Sequence, residues 1–145
     1  MLGVIATCLI VLPGPVVEPF APAGPYAGHW GVDVAVPEGS IVVAPLDGVV
    51  TFAGSVAGTR SVTIRADSYR VSLTYLQGIT TRVGSFVRRG DPIGVAGTPH
   101  GRPGLHIGVR RGDRYVDPEV HARCTAGGTI RLLPPPILAL PGLKD

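Results

Sequence analysis

The chain has 145 residues, which is enough for one domain with a sizeable core and excludes a second domain of ordinary size. Hydrophobic residues make up 45% of it and charged residues only 16%, which excludes a chain that stays disordered for lack of apolar side chains. The net charge of +3 at pH 7 suits an anionic partner but by itself identifies none.

Proline clusters before residue 26 and again after residue 133. We therefore predict an apolar leader-like run with a Pro-rich arm over 1–25, a folded domain over 26–133 and a Pro-rich tail over 134–145. The apolar run 1–12 is shorter than the ~20 residues of a membrane helix, so no stable membrane span is expected. It is typical of the core of a signal peptide, although no Lys or Arg precedes it, and a first β-strand is the alternative.

The middle of the chain consists of short β-branched runs separated by glycine and proline. No stretch keeps the 3.6-residue apolar period of a helix, so little helix is expected. Close spacing with tight turns predicts an antiparallel sheet or sandwich. The predicted strands are 32–36, 41–44, 48–53, 61–66, 70–76, 82–87, 92–96, 105–110 and 114–116.

Two histidines and one aspartate are candidate metal ligands. His29 and Asp33 lie four residues apart around Gly31, and His106 lies on a predicted strand. Two neutral imidazoles and one carboxylate with an open fourth position form the ligand set of a catalytic Zn²⁺ site. Spacing alone favours the simpler interpretation of a loop histidine, a turn aspartate and a hydrogen-bonded strand histidine.

The two cysteines, Cys8 and Cys124, form no CxxC motif, and their pairing stays open.

The residues around these candidates form a longer pattern. HWGVD at 29–33 is followed by VPEG at 36–39, VAPLDG at 43–48, VGSFVRRGDPIG at 83–94 and LHI at 105–107. Over about 28–118 this order and spacing resembles the lysostaphin/LytM-type peptidoglycan metallopeptidases, peptidase family M23. The resemblance implies a mainly β, single antiparallel sheet domain of the LytM (duplicated hybrid motif) type. It also implies one Zn²⁺ per chain, export to an extracytoplasmic or cell-wall location, and peptidoglycan peptides as partners.

The resemblance places His29, Asp33 and His106 on the three metal ligands of the family. The chain departs from the family pattern at two other positions. The first histidine of the family's His-x-His motif corresponds to Gly104, and a further family histidine, at the end of a central strand, corresponds to Tyr75. The metal ligands are therefore expected to be present, whereas both outer histidines are replaced.

Tyr75 and His100 are the candidate catalytic residues. A tyrosine with a pKa near 10 could donate a hydrogen bond to an oxyanion but is a poor base at neutral pH. His100 lies in the loop 98–103 and could reach the place of the missing imidazole. Because general acid–base help is worth about 10²–10⁴ in rate, weak or absent hydrolysis is expected without it.

These observations predict a zinc-binding cell-wall protein, weak or inactive as an endopeptidase, that binds peptidoglycan or regulates a cell-wall hydrolase. An active zinc metalloendopeptidase that cleaves peptidoglycan peptides is the alternative. A lipoyl or biotinyl carrier is disfavoured because the single lysine, Lys144, lies in the tail. Nucleic acid is not expected as a partner, since aromatic residues make up 6% and no recognition motif is present.

Overall fold

The computed structural model describes residues 6–7, 9–122, 125–126 and 129–130. The predictions for Cys8, Cys124 and the tail 134–145 lie outside the described residues. In the part that is described, no helix has the length and apolar character needed to cross a membrane.

Short strands account for most of the described chain, with one turn of α-helix, α1 (Pro118–His121), and a 3₁₀ turn at Pro99–Gly101. The strands are β1 (Ala6–Thr7), β2 (Val16–Glu18), β3 (Ala21–Pro22), β4 (Gly28–His29), β5 (Val32–Val34), β6 (Ile41–Val43), β7 (Gly48–Val56), β8 (Thr59–Ala66), β9 (Tyr69–Ile79), β10 (Phe86–Val87), β11 (Pro92–Ala96), β12 (Leu105–Arg111), β13 (Arg114–Val116), β14 (Thr125–Ala126) and β15 (Thr129–Ile130).

One large antiparallel sheet organises these strands. Its order is β10-β7-β8-β9-β12-β5-β2, with β13 beside β12 and β11 paired to both β6 and β9. The predicted mainly β, antiparallel fold with little helix is confirmed. Each predicted strand has a counterpart, although 82–87 shortens to β10 because its first residues form a turn in which Ser85 N–H donates to the carbonyl of Arg82.

The central strands bury one face and leave the other polar, as their period-2 alternation predicts. Ile64 on β8, Leu73 on β9 and Ile107 on β12 are fully buried in one apolar cluster. Their neighbours in sequence point to the opposite face, which carries small hydroxyl side chains and the candidate site. The hydrophobic core therefore packs against the face of the sheet opposite the candidate site.

Part of the predicted Pro-rich arm joins this sheet. Ile10 is fully buried in the core, and β2 pairs with β5. Pro15 and Pro19 flank β2, and proline in a sheet is confined to edges and strand ends because it cannot donate a ladder hydrogen bond. Because prolines flank β2, the sequence predicted an irregular arm where the structure has an edge strand that pairs with β5.

Truncating a core isoleucine should destabilise the fold much more than truncating an exposed one. We expect Ile64→Ala to lower the free energy of unfolding by about 2–5 kcal/mol, because it removes buried methylenes and leaves a cavity. Ile41→Ala is the matched control, since Ile41 also lies on a strand but is 64% exposed, and it should change stability by less than about 0.5 kcal/mol. Urea unfolding followed by circular dichroism measures both, and equal losses would contradict the assigned core.

Candidate metal centre

A buried carboxylate lies at the centre of the polar face. Asp33 is 2% exposed and is the one buried charged residue among those described. It stands on β5 between Val32 and Val34, which point into the core, so alternation directs the Asp33 side chain to the opposite face. A charge removed from water in this way needs partners, and it has three.

Three imidazoles surround this carboxylate. His29 Nε2 is 3.1 Å and His106 Nδ1 is 2.8 Å from the same oxygen, Asp33 Oδ1. His100 Nδ1 is 2.5 Å from the other oxygen, Oδ2. The structure thus brings together the three predicted ligands and also His100, which the sequence placed only in a loop. Ligand atoms of His29, Asp33 and His100 lie within 4.8 Å of one another.

Strand register positions His106, and a glycine allows its approach. His106 lies directly opposite Asp33 in the pairing of β12 with β5. A Cβ at Gly31 would lie 2.7 Å from His106 Nε2 and 2.5 Å from the carbonyl oxygen of Ile107. The glycine of the HWGVD motif is therefore required so that the chain between His29 and Asp33 can pass close to β12.

The contacts of His29 favour a cation between this residue and Asp33. Its Nδ1 donates to the carbonyl of Pro19 at 2.8 Å, so in a neutral ring Nε2 carries the lone pair. That lone pair then faces Asp33 Oδ1, an arrangement that a proton or a metal ion would satisfy. A backbone carbonyl on the outer nitrogen is also the usual support of a metal-binding histidine.

Burial and hydrogen bonding shift the pKa values of Asp33 and His106. Burial acts to raise the pKa of Asp33, but hydrogen bonds to His106 and His100 outweigh it and hold that pKa below its usual value. Burial lowers the pKa of His106, despite the opposing effect of Asp33. An ionised carboxylate and a neutral imidazole are the forms that bind metals.

His100 reaches the site because two glycines close its loop. Gly97 and Gly104 form an isolated antiparallel bridge, in which Gly104 N–H donates to the carbonyl of Gly97 at 3.0 Å. The six-residue loop 98–103 between them turns back over Asp33, and His100 sits at its tip with a left-handed backbone (φ 51°). Left-handed backbone at a non-glycine residue is uncommon and clusters at functional sites.

The backbone at Gly104 leaves no room for the histidine that the family motif has there. A Cβ on Gly104 would collide with the carbonyl oxygen of Val34. The third imidazole therefore comes from the loop rather than from the strand. The sequence predicted that His100 could reach this place from its loop, but it did not predict the glycine bridge that positions the loop.

Tyr75 also faces this site from a strained position. It has a φ of 69° and is skipped in the register between β8 and β9, where Arg60 pairs with Leu76 and Ser61 pairs with Thr74. This β-bulge turns the Tyr75 ring to within 5.6 Å, centroid to centroid, of His100. His100 therefore contacts the carboxylate and Tyr75 lies beside His100, and the catalytic roles of both stay predictions.

A family model and solved structures are similar to the chain over this region. The model described as Peptidase family M23 matches residues 27–118, which include all five candidate site residues. Csd3 from Helicobacter pylori is 30% identical with a TM-score of 0.70, and the match covers 81% of this chain and 34% of Csd3. A zinc-containing peptidase from Vibrio cholerae is 30% identical with a TM-score of 0.59, covering 74% of this chain and 37% of that one.

The antimicrobial peptidase lysostaphin from Staphylococcus simulans shares the fold. Its TM-score is 0.70 at 21% identity, and the match covers 81% of this chain and 55% of lysostaphin. The chain spans about a third of the length of Csd3, so what the whole of that protein does is not transferred from the match.

The close packing of Gly97 against the Tyr75 bulge generates a test of the site's scaffold. A Cβ at Gly97 would collide with the carbonyl oxygen of Tyr75, so Gly97→Ala should lower the free energy of unfolding by about 1–3 kcal/mol. At Gly78 the nearest atom to such a Cβ is 3.8 Å away, on the Val95 side chain, so Gly78→Ala should stay within about 1 kcal/mol of wild type. Urea denaturation measures both variants. A Gly97→Ala protein as stable as Gly78→Ala would show that this packing is wrong.

Proposed function

The chain belongs to peptidase family M23, and from that membership we propose that it is a zinc-dependent hydrolase of peptidoglycan peptides that acts outside the cytoplasm. The observation that carries the proposal is the convergence of three imidazoles on the buried carboxylate of Asp33. The net charge of +3 is compatible with a protein that meets an anionic cell wall.

We assign the metal to His29 Nε2, Asp33 Oδ1 and His106 Nδ1. Bonds of ~2.0–2.1 Å to a tetrahedral zinc place ligand atoms about 3.3 Å apart, close to the 3.1 and 2.8 Å found between these atoms. The His29 and His106 side chains are only 14% and 21% exposed, whereas that of His100 is 47% exposed. The set leaves a fourth position open, as hydrolysis requires.

Zinc held there would act as a Lewis acid that polarises a peptide carbonyl and makes water more acidic. His100 serves a different purpose, because it contacts the oxygen of Asp33 that the metal does not use. Its Nδ1–H donates to Asp33 Oδ2, which fixes the ring and leaves Nε2 as the atom that accepts a proton from the attacking water. The Tyr75 hydroxyl, whose ring lies 5.6 Å from that of His100, donates to the developing oxyanion.

Zinc binding without turnover is the second candidate function, and the protein would then bind peptidoglycan or regulate a cell-wall hydrolase. Gly104 has no side chain that could accept a proton, and Tyr75 offers a hydroxyl where the family pattern has an imidazole; both observations favour this second candidate. The two candidates share the metal site and differ only in whether His100 and Tyr75 suffice for proton transfer and oxyanion binding.

Zinc content distinguishes the proposed ligand His106 from His100, the histidine of the site that is not proposed to bind the metal. We expect about one zinc per chain by mass spectrometry of the metal in wild type and in His100→Ala. His106→Ala should lose zinc because it removes a direct ligand, and circular dichroism verifies that it is folded. His121→Ala, remote from Asp33 on α1, is the control and should keep its metal. No zinc in wild type after reconstitution would overturn the proposal.

Release of soluble peptides from purified peptidoglycan then separates the two functions. Wild type should release peptides, His106→Ala should release none above background, and His100→Ala should be slower by about 10²–10⁴, the usual contribution of a general base. Release by wild type at the background level of His106→Ala, with zinc present in wild type, would favour the binding or regulatory function. A His100→Ala protein with full activity would remove His100 from the mechanism.

A further inference from the structure

A groove of about 510 Å³ leads away from the metal centre along the polar face of the sheet. On β12 its wall runs from His106 past Gly108 to Arg110, three residues that alternate onto the same face. Because Gly108 has no side chain, the groove stays open between the site and Arg110. Four residues of strand separate His106 from Arg110, a distance of about 13 Å.

Short hydroxyl side chains form the floor of this groove. Ser61 and Thr74 are hydrogen-bonded across β8 and β9 at 3.1 Å, and Thr63 and Ser72 at 2.8 Å. In the register of the sheet, Thr74 lies opposite His106 and Ser72 lies opposite Gly108. The floor is therefore flat, polar and wide enough for an extended peptide laid along β12.

Arg110 on β12 lines the far end of the groove. It belongs to a row of three arginines across neighbouring strands, which we name the arginine row: Arg65 on β8, Arg70 on β9 and Arg110 on β12. Arg65 pairs with Arg70, and Arg70 pairs with Arg110, so like charges stand directly opposite one another twice. Such pairs destabilise a sheet. Among the described residues none of the three forms an ion pair, and the Arg110 guanidinium lies over the Tyr115 ring at 5.7 Å.

We propose that the arginine row binds a carboxylate of the peptide substrate, about four residues from the bond at the metal centre. A bound carboxylate would relieve the repulsion within the row, and guanidinium groups bind carboxylates in a bidentate geometry. An extended peptide of four residues has the same length as the strand between His106 and Arg110. The preferred substrate is therefore a peptide with a terminal or side-chain carboxylate at that distance. This inference rests on the proposed function, because it takes the groove as the substrate site.

Binding of matched peptides tests the row without any requirement for hydrolysis. The probes are fluorescein-labelled pentaalanine with a free carboxyl terminus and the same peptide as its carboxyl-terminal amide, with affinities measured by fluorescence anisotropy. Chelator-treated protein is used, so that the carboxylate cannot bind a metal. Wild type should bind the free acid about tenfold more tightly than the amide.

Arg70→Gln and Arg110→Gln should abolish that preference while keeping or raising thermal stability, since each removes one or two like-charge contacts. Arg114→Gln is the control, because Arg114 pairs with Arg111 on the opposite face of the β12–β13 hairpin and should leave the preference unchanged. Equal binding of acid and amide by wild type overturns the proposal, as does an equal loss in Arg114→Gln, which would indicate general attraction of anions.

The outcome is independent of the test of turnover. If the protein binds zinc and releases peptides but does not distinguish acid from amide, the proposed function stands and the proposed role of the arginine row is wrong. If the protein distinguishes the two peptides but releases nothing, the arginine row stands as a binding site and the proposed hydrolysis is wrong.

Discussion

The burial of one carboxylate constrains most of what surrounds it. Taking an ion out of water costs several kcal/mol, and Asp33 offsets this cost only because three imidazoles contact its two oxygens. The partners come from residues 4, 67 and 73 positions away in sequence. The pairing of β5 with β12, the turn of the loop 98–103 and the close approach at Gly31 must therefore all be right at once. A site of this kind depends on the tertiary structure rather than on any single element.

Under the proposed function, the two oxygens of Asp33 contact groups with different roles. On Oδ1, two well-buried histidines converge from the sheet and from β4, where packing and the carbonyl of Pro19 fix their rings. On Oδ2, a half-exposed histidine arrives from a loop. Under the proposed function, residues on strands hold the metal, whereas His100 transfers the proton from a loop that water and substrate can reach. Core-facing side chains hold β5 and β12, which carry Asp33 and His106, whereas His29 lies on β4 in a separate two-stranded sheet with β3.

Much of this arrangement was predictable from sequence, and the remainder depended on register. Short β-branched runs between glycines and prolines predicted the strands. The HWGVD and LHI motifs, through the family resemblance, predicted His29, Asp33 and His106 as metal ligands. The edge strand β2 was hidden because prolines flank it. The position of His100 depends on the bridge between Gly97 and Gly104. The arginine row depends on which residues face each other across β8, β9 and β12. Neither cross-strand pairing nor loop closure leaves a local pattern that a reader of one sequence can see.

The bridge between Gly97 and Gly104 has a consequence for how the site can change. It fixes both ends of a six-residue loop, so residues inside that loop can be exchanged or added without disturbing the strands that hold the ligands. Lengthening such a loop is inexpensive, since each doubling costs only about 0.6 kcal/mol in closure entropy. The position of one imidazole is therefore adjustable independently of the other two. Under the proposed function, the residues that hold the metal and the residue that transfers the proton therefore lie on separate parts of the structure and meet at a single side chain, that of Asp33.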